Sequence, residues 1–148
     1  MSMTFQGRAV LPGHTEGEAL VTHSAFNVLA SFLRSLLFSL TGKAVCGDHD
    51  NPELYQKVMT GKILCLPKTI GSTSGGLLLE TAVDRGLMPK AMLFSEHVDS
   101  LAASGIILAE IWLGKRIITI DQLGREFLDY VKNGQQIEIQ EDGKVIIK

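Results

Sequence analysis

Cysteine is scarce: Cys46 and Cys65 are the only two, and they do not form a CxxC pair. That excludes a disulfide framework and leaves no zinc or dithiol redox motif. Blocks of like charge are missing as well. With 14 Lys and Arg against 16 Asp and Glu, the net charge is −2, so neither nucleic acid nor a polybasic membrane contact has electrostatic support. Small molecules or other proteins are the expected partners. The most apolar run, AFNVLASFLRSLLFSL (25–40), is interrupted by Asn27 and Arg34 and falls short of the ~20 residues that span a bilayer. The opening MSMTFQGRAV lacks the basic-then-apolar order of a signal peptide, so a cytoplasmic protein is expected.

What is present is enough apolar material for one core: 148 residues, 45% hydrophobic, read as a single domain over 1–148. FQGRAVLP and EGEALVTH read as an opening pair of strands around the turn-rich PGHTEG. In 25–40, Phe26, Leu29, Leu33, Leu36 or Leu37, and Leu40 recur at helical spacing. Its excess of Leu and Phe suggests a surface that packs on another chain or another part of this one. Asn51-Pro52 starts a short helix or turn that closes near Gly61.

KILCLP then reads as a strand, and Leu77 to Arg85 as a helix stopped by Gly86. PKAMLFSE is a further strand. HVDSLAASG reads as a short helix capped by Ser95 and stopped at Gly105, with GIILAEI and RIITI as strands after it. The alternation on both sides of Asp142-Gly143 predicts a terminal hairpin. Strands crossing through short helices, flanked by antiparallel hairpins, favour an α/β domain of layered β/β/α type.

Chemistry concentrates in KTIGSTSGGLLLE (68–80). Where Gly71 to Gly76 joins a strand end to a helix start, unpaired backbone N–H groups and the helix dipole suit an anion. Ser72, Thr73 and Ser74 add hydroxyl donors, and Lys68 is close enough to reach a bound anion. The plainer reading is that Ser74 or Thr73 caps the helix and the glycines shape the turn. No lysine follows the glycines as a P-loop requires, and a dinucleotide fingerprint fails on spacing.

Other reactive side chains have quieter readings. Cys65, inside an apolar strand, reads as a buried thiol, and Cys46 with His49 lies in the polar stretch CGDHDNP, near chemistry or simply in a loop. His14 and His23 lack partners at ligand spacing. Trp112 reads as packing, and no metal site can be written from this chain.

The run GKILCLPKTIGSTSGGLLLETAVDRGLMPKAMLF (61–94), with GEALV (17–21) and SGIILAEI (104–111), resembles the swivelling-domain small subunit of the aconitase X group of hydro-lyases. The likeness covers most of the chain. It implies a swivelling β/β/α fold with layered or barrel-like sheets and short helices. It also implies half an enzyme, in which a large partner subunit carries an iron or iron-sulfur centre and the pair dehydrates a hydroxy acid such as cis-3-hydroxy-L-proline or phosphomevalonate.

The loop is similar to the G-S-S-R of ordinary aconitases, whose first serine is the catalytic base, a role that falls on Ser72. Ser74 stands where that pattern has arginine, so carboxylate binding by an arginine does not transfer. Thr41-Gly42 survives from the group's pattern, but a longer apolar stretch precedes it. Phosphohistidine carrier domains share the fold family, yet Gly75 and Gly76 occupy the place of their histidine. The alternatives are a non-catalytic binding module for a small anionic metabolite and a structural partner that assembles through 25–40.

Overall fold

The structure, a computed structural model, describes residues 2–71 and 75–148. Its strands are β1 (Met3–Gln6), β2 (Arg8–Leu11), β3 (Thr15–Val21), β4 (Phe26–Asn27), β5 (Ile63–Leu66), β6 (Thr69–Ile70), β7 (Ala91–Phe94), β8 (Ile118–Asp121), β9 (Gln136–Ile139) and β10 (Lys144–Ile147). The helices are α1 (Val28–Phe38), α2 (Gly75–Asp84), α3 (Ser100–Leu113) and α4 (Arg125–Tyr130).

The large sheet runs β1-β10-β9-β3-β5-β7-β8-β2, with β3, β5, β7 and β8 parallel in the middle and antiparallel pairs outside them. β1 and β2, separated only by Gly7, therefore sit at opposite edges and roll the sheet into a nearly closed barrel. A Cβ on Gly7 would fall 2.6 Å from the Ile120 side chain and 2.7 Å from the Asp121 carbonyl oxygen. Only glycine fits this seam, where its N–H also bonds to the Gly143 carbonyl at 3.0 Å.

Residue parity divides the core. Ile63, Cys65, Ala91 and Leu93 point into the barrel with Ile137, Ile139, Val145 and Ile147. Leu64, Leu66, Met92 and Phe94 face α1, α2 and α3. Strands covered on both faces read as unbroken apolar runs, which is why KILCLP and AMLF show no alternation. Burial also pushes up the Cys65 thiol, leaving it an inert packing group.

Two expectations change. GIILAEI is not a strand but the second half of α3, capped by Asp99 rather than Ser95 and ended by Gly114 at φ 65°. Gly105 lies inside that helix as its contact with α2: a Cβ there would strike the Gly76 carbonyl oxygen and lie 2.9 Å from Leu79 Cβ. FQGRAVLP is two strands, paired with β10 and β8 rather than with EGEALVTH. The Asn51-Pro52 segment takes the turn form, with the Asn51 side chain accepting from Leu54 N–H at 3.2 Å. The Asp142-Gly143 hairpin forms as read, Val145 opposite Ile139.

Candidate functional site

Parallel strands send their connections to helices from one edge, and in such sheets ligands bind outside the carboxyl ends. At that edge β5 leads through Pro67 and Lys68 into β6, which pairs in parallel with β4, Phe26 opposite Thr69 and Asn27 opposite Ile70. β4 runs directly into α1. Its last residue, Asn27, caps that helix by accepting from Ala30 N–H at 3.1 Å. Gly71 follows β6 at φ 142°, and a Cβ there would sit 3.9 Å from Asn27 Oδ1. The start of α1 thus abuts the loop entering α2.

α3 begins beside the same strand. Asp99 accepts from Thr69 N–H at 2.9 Å and Thr69 Oγ1–H at 2.5 Å, and caps its own helix through Ala102 N–H at 3.1 Å. Gly76, in the first turn of α2, packs against Leu101 and Ser104 of α3. The first turns of α1, α2 and α3 therefore gather beside Thr69, Ile70 and Gly71, and helix N-termini carry partial positive charge and N–H donors. Lys68 is exposed at the entry to this segment, and Gly71 is exposed at its bend. Ser72, Thr73 and Ser74 lie outside the described residues.

Asp99 was not singled out by the sequence, though an acid three residues before Ala102 at a helix start is a recognisable cap. Asp99→Ala removes the cap and leaves the buried Thr69 N–H unpaired, at an expected cost of about 2–4 kcal/mol. Asn, which keeps one acceptor, is expected to lose about half as much; thermal unfolding of the two variants checks this.

Asp121 was also missed. It ends the apolar strand RIITID with its side chain fully buried, and such a carboxylate requires partners. It accepts from Arg8 Nε at 2.9 Å, Arg8 Nη2 at 2.7 Å and Val98 N–H at 2.7 Å. The pair fastens β2 to β8 at the carboxyl edge and places His97 Nε2 3.4 Å from Arg8 Nη2.

A cavity of about 380 Å³ opens on the α4 side of this edge, lined by His23, Pro67, Ser95, Glu96, Arg125, Leu128 and Asp129. His23 is held with both ring nitrogens against oxygens: Nδ1 lies 2.7 Å from Glu53 Oε2 and Nε2 3.1 Å from the Leu128 carbonyl. The Glu53 hydrogen bond raises the His23 pKa against the cost of burial. Burial opposes ionisation of Glu53, but its hydrogen bonds from His23 outweigh this and hold it below the usual carboxylate value.

The pair's stabilisation is complete between the unfolded-state values, near 4.5 for Glu and 6.5 for His. It is lost as pH rises through the raised His23 pKa, and as pH falls through the depressed Glu53 pKa. Since half of the imidazole is open to solvent, the effect is no more than about 1 kcal/mol. Glu53→Gln is expected to be less stable than the parent near pH 6 and equal to it above pH 9, as measured by urea titration.

Cys46 is buried, its N–H bonded to the Lys57 carbonyl at 2.9 Å, in a hairpin-like turn against α1. His49 packs on Tyr55 with centroids 4.3 Å apart, in a groove that includes no described residue of 67–76. Among the described residues, no three His, Cys, Asp or Glu side chains gather as metal ligands. No described helix is long and apolar enough to cross a membrane.

The chain matches the aconitase X swivel domain family over residues 4–147. It is 29% identical over 140 residues to the phosphomevalonate dehydratase small subunit of Archaeoglobus fulgidus, covering 95% of this chain and 94% of that one. The Pyrococcus furiosus protein of the same name is 29% identical over 146 residues, with 98% and 96% covered. In fold, the chain is similar to a chain of the crystal structure of Thermococcus kodakaraensis aconitase X in its holo-form, with a TM-score of 0.80 at 23% identity and 99% and 98% coverage. The nearly closed barrel, the three helices over its parallel strands and the family match lead to one assignment: the chain belongs to the aconitase X swivel domain family.

Proposed function

We propose that this chain is the small subunit of a two-subunit hydro-lyase that dehydrates a hydroxy acid, phosphomevalonate being the first substrate to test and cis-3-hydroxy-L-proline the second. The observation that carries the reading is the gathering of the first turns of α1, α2 and α3 beside Thr69, Ile70 and Gly71. It is supported by relatives of nearly equal length that are named as small subunits of phosphomevalonate dehydratase.

In the elimination, a carbon beside the substrate carboxylate gives up a proton, the adjacent carbon loses its hydroxyl as water, and a C=C bond forms between them. Ser72 is the base. A serine hydroxyl does this work only as an alkoxide, and surrounding N–H donors together with the α2 dipole stabilise that charge. Gly71 admits close approach of the substrate, Thr73 and Ser74 donate hydroxyls, and Lys68 pairs with an anionic group.

The chain's own donors do not fit an iron or iron-sulfur centre, since Cys46 and Cys65 are buried on separate elements. The reading assigns that centre to the large subunit and expects this chain alone to be inactive, in the cytoplasm. Purification of the chain with the large subunit of the same enzyme, followed by assay on both substrates, tests it. An active iron-containing pair is expected. A chain that stays alone and binds a carboxylate or phosphosugar with Ser72 dispensable would instead be a binding module.

A further inference from the structure

α1 presents Leu29, Leu33 and Leu37, one turn apart, on a face that no described element covers. The stripe runs on into Phe38, 71% exposed, and Leu40, 99% exposed, which border a groove of about 440 Å³ against Lys43 and Tyr55. At its other end, Ile70 and Leu77 are exposed on either side of the candidate loop. Weighted by ordinary side-chain areas, these residues expose roughly 750 Å², against ~300–600 Å² for the largest apolar patch of a typical monomer and ~800 Å² per partner in a stable interface.

A second apolar patch, formed by Ile107, Ile111 and Trp112 on α3, amounts to roughly half that area and stays within the ordinary range.

We infer that the α1 face, from Ile70 and Leu77 to Leu40, is the surface on which the large subunit docks. The inference rests on the two-subunit reading above and names the contact that reading leaves open. Two features select this occupant over a second copy of the chain. First, Ile70 and Leu77 flank the candidate loop in the chain, directly before Gly71 and directly after Gly76, so a subunit that meets the loop to complete the site also meets them. Second, Arg34 and Lys43 are the only charged residues between positions 25 and 43. Two like charges on α1 and the turn after it repel their counterparts in a second copy of the chain and suit an apolar surface bordered by acids.

The test is the affinity of the isolated chain for the purified large subunit, measured for the parent, for Leu37→Glu with Leu40→Glu, and for Ile111→Glu with Trp112→Glu. All four positions are more than half exposed, so both variants are expected to keep the parent's unfolding temperature. The α1 variant is expected to bind about 100-fold more weakly, as charges set in place of large apolar anchors do, and to regain the parent kcat when the large subunit is in excess. The α3 variant is expected to bind within about threefold of the parent.

Parent-like affinity of the α1 variant would overturn the inference. So would a stable homodimer of the parent that the α1 substitutions dissolve while large-subunit affinity stays unchanged. If the parent itself does not bind the large subunit, the two-subunit reading falls as well, a result distinct from either of these.

Discussion

Ser72→Ala is expected to lower kcat of the assembled pair by about 10²–10⁴-fold, the usual contribution of a positioned acid or base. KM is expected to stay within about threefold, because a base acts on the proton lost in the transition state while uniform binding is carried by other groups. The affinity for the large subunit should be that of the parent. Ser74→Ala provides the contrast: as a hydroxyl donor or cap it is expected to cost about tenfold or less, through KM and stability rather than through kcat. Initial rates over a substrate series, with both variants purified as the pair, separate these outcomes. Equal losses at the two positions would mean that the loop is held together as a unit and that neither hydroxyl is the base.

Gly105→Ala should destabilise the chain by about 1–3 kcal/mol, and the sign is the informative part. In an uncrowded helix interior, alanine is better than glycine by about 1 kcal/mol. Here the new methyl would strike the Gly76 carbonyl oxygen, and both partners are helix backbone that cannot swing away. The melting temperature is therefore expected to fall by about 3–10 °C for a chain of this size. Relief of the clash separates α2 from α3 at the first turn of α2, where the candidate loop ends. Activity of the assembled pair should fall with stability even though residue 105 touches no substrate. Ile111→Ala, on the exposed side of the same helix, serves as the control and is expected within about 0.5 kcal/mol of the parent.

The strand before Lys68 and the helix after Gly75 were legible because each carries a local signal: an apolar run, and helical spacing ended by Gly86. The terminal hairpin was legible through Asp142-Gly143, whose glycine takes φ 87°. α3 was not. Its apolar residues lie all round the helix, so Ile106, Ile107 and Leu108 read as a strand, and periodicity cannot separate the two cases. The reason is physical: Ile107 and Ile111 stay exposed, so the apolar pattern of the helix does not mark its buried face.

α4 has six residues, too few to show a period. Barrel closure depends on β1 meeting β10 across nearly the whole chain, and only Gly7 marks it locally. In the candidate site, the glycines and Lys68 marked the loop to examine. Asp99 and Asp121, which fasten its surroundings, owe their importance to partners 30 and 113 residues away.

The central claim is that this chain completes a hydro-lyase by bringing its loop to a site on the large subunit. Titration of a fixed amount of iron-loaded large subunit with this chain, following dehydration of phosphomevalonate, tests it most directly. Activity should be absent from either component alone, rise linearly with added chain and level off at one chain per large subunit. A large subunit that is equally active without this chain, or a saturated one-to-one complex that dehydrates neither phosphomevalonate nor cis-3-hydroxy-L-proline, would contradict the account.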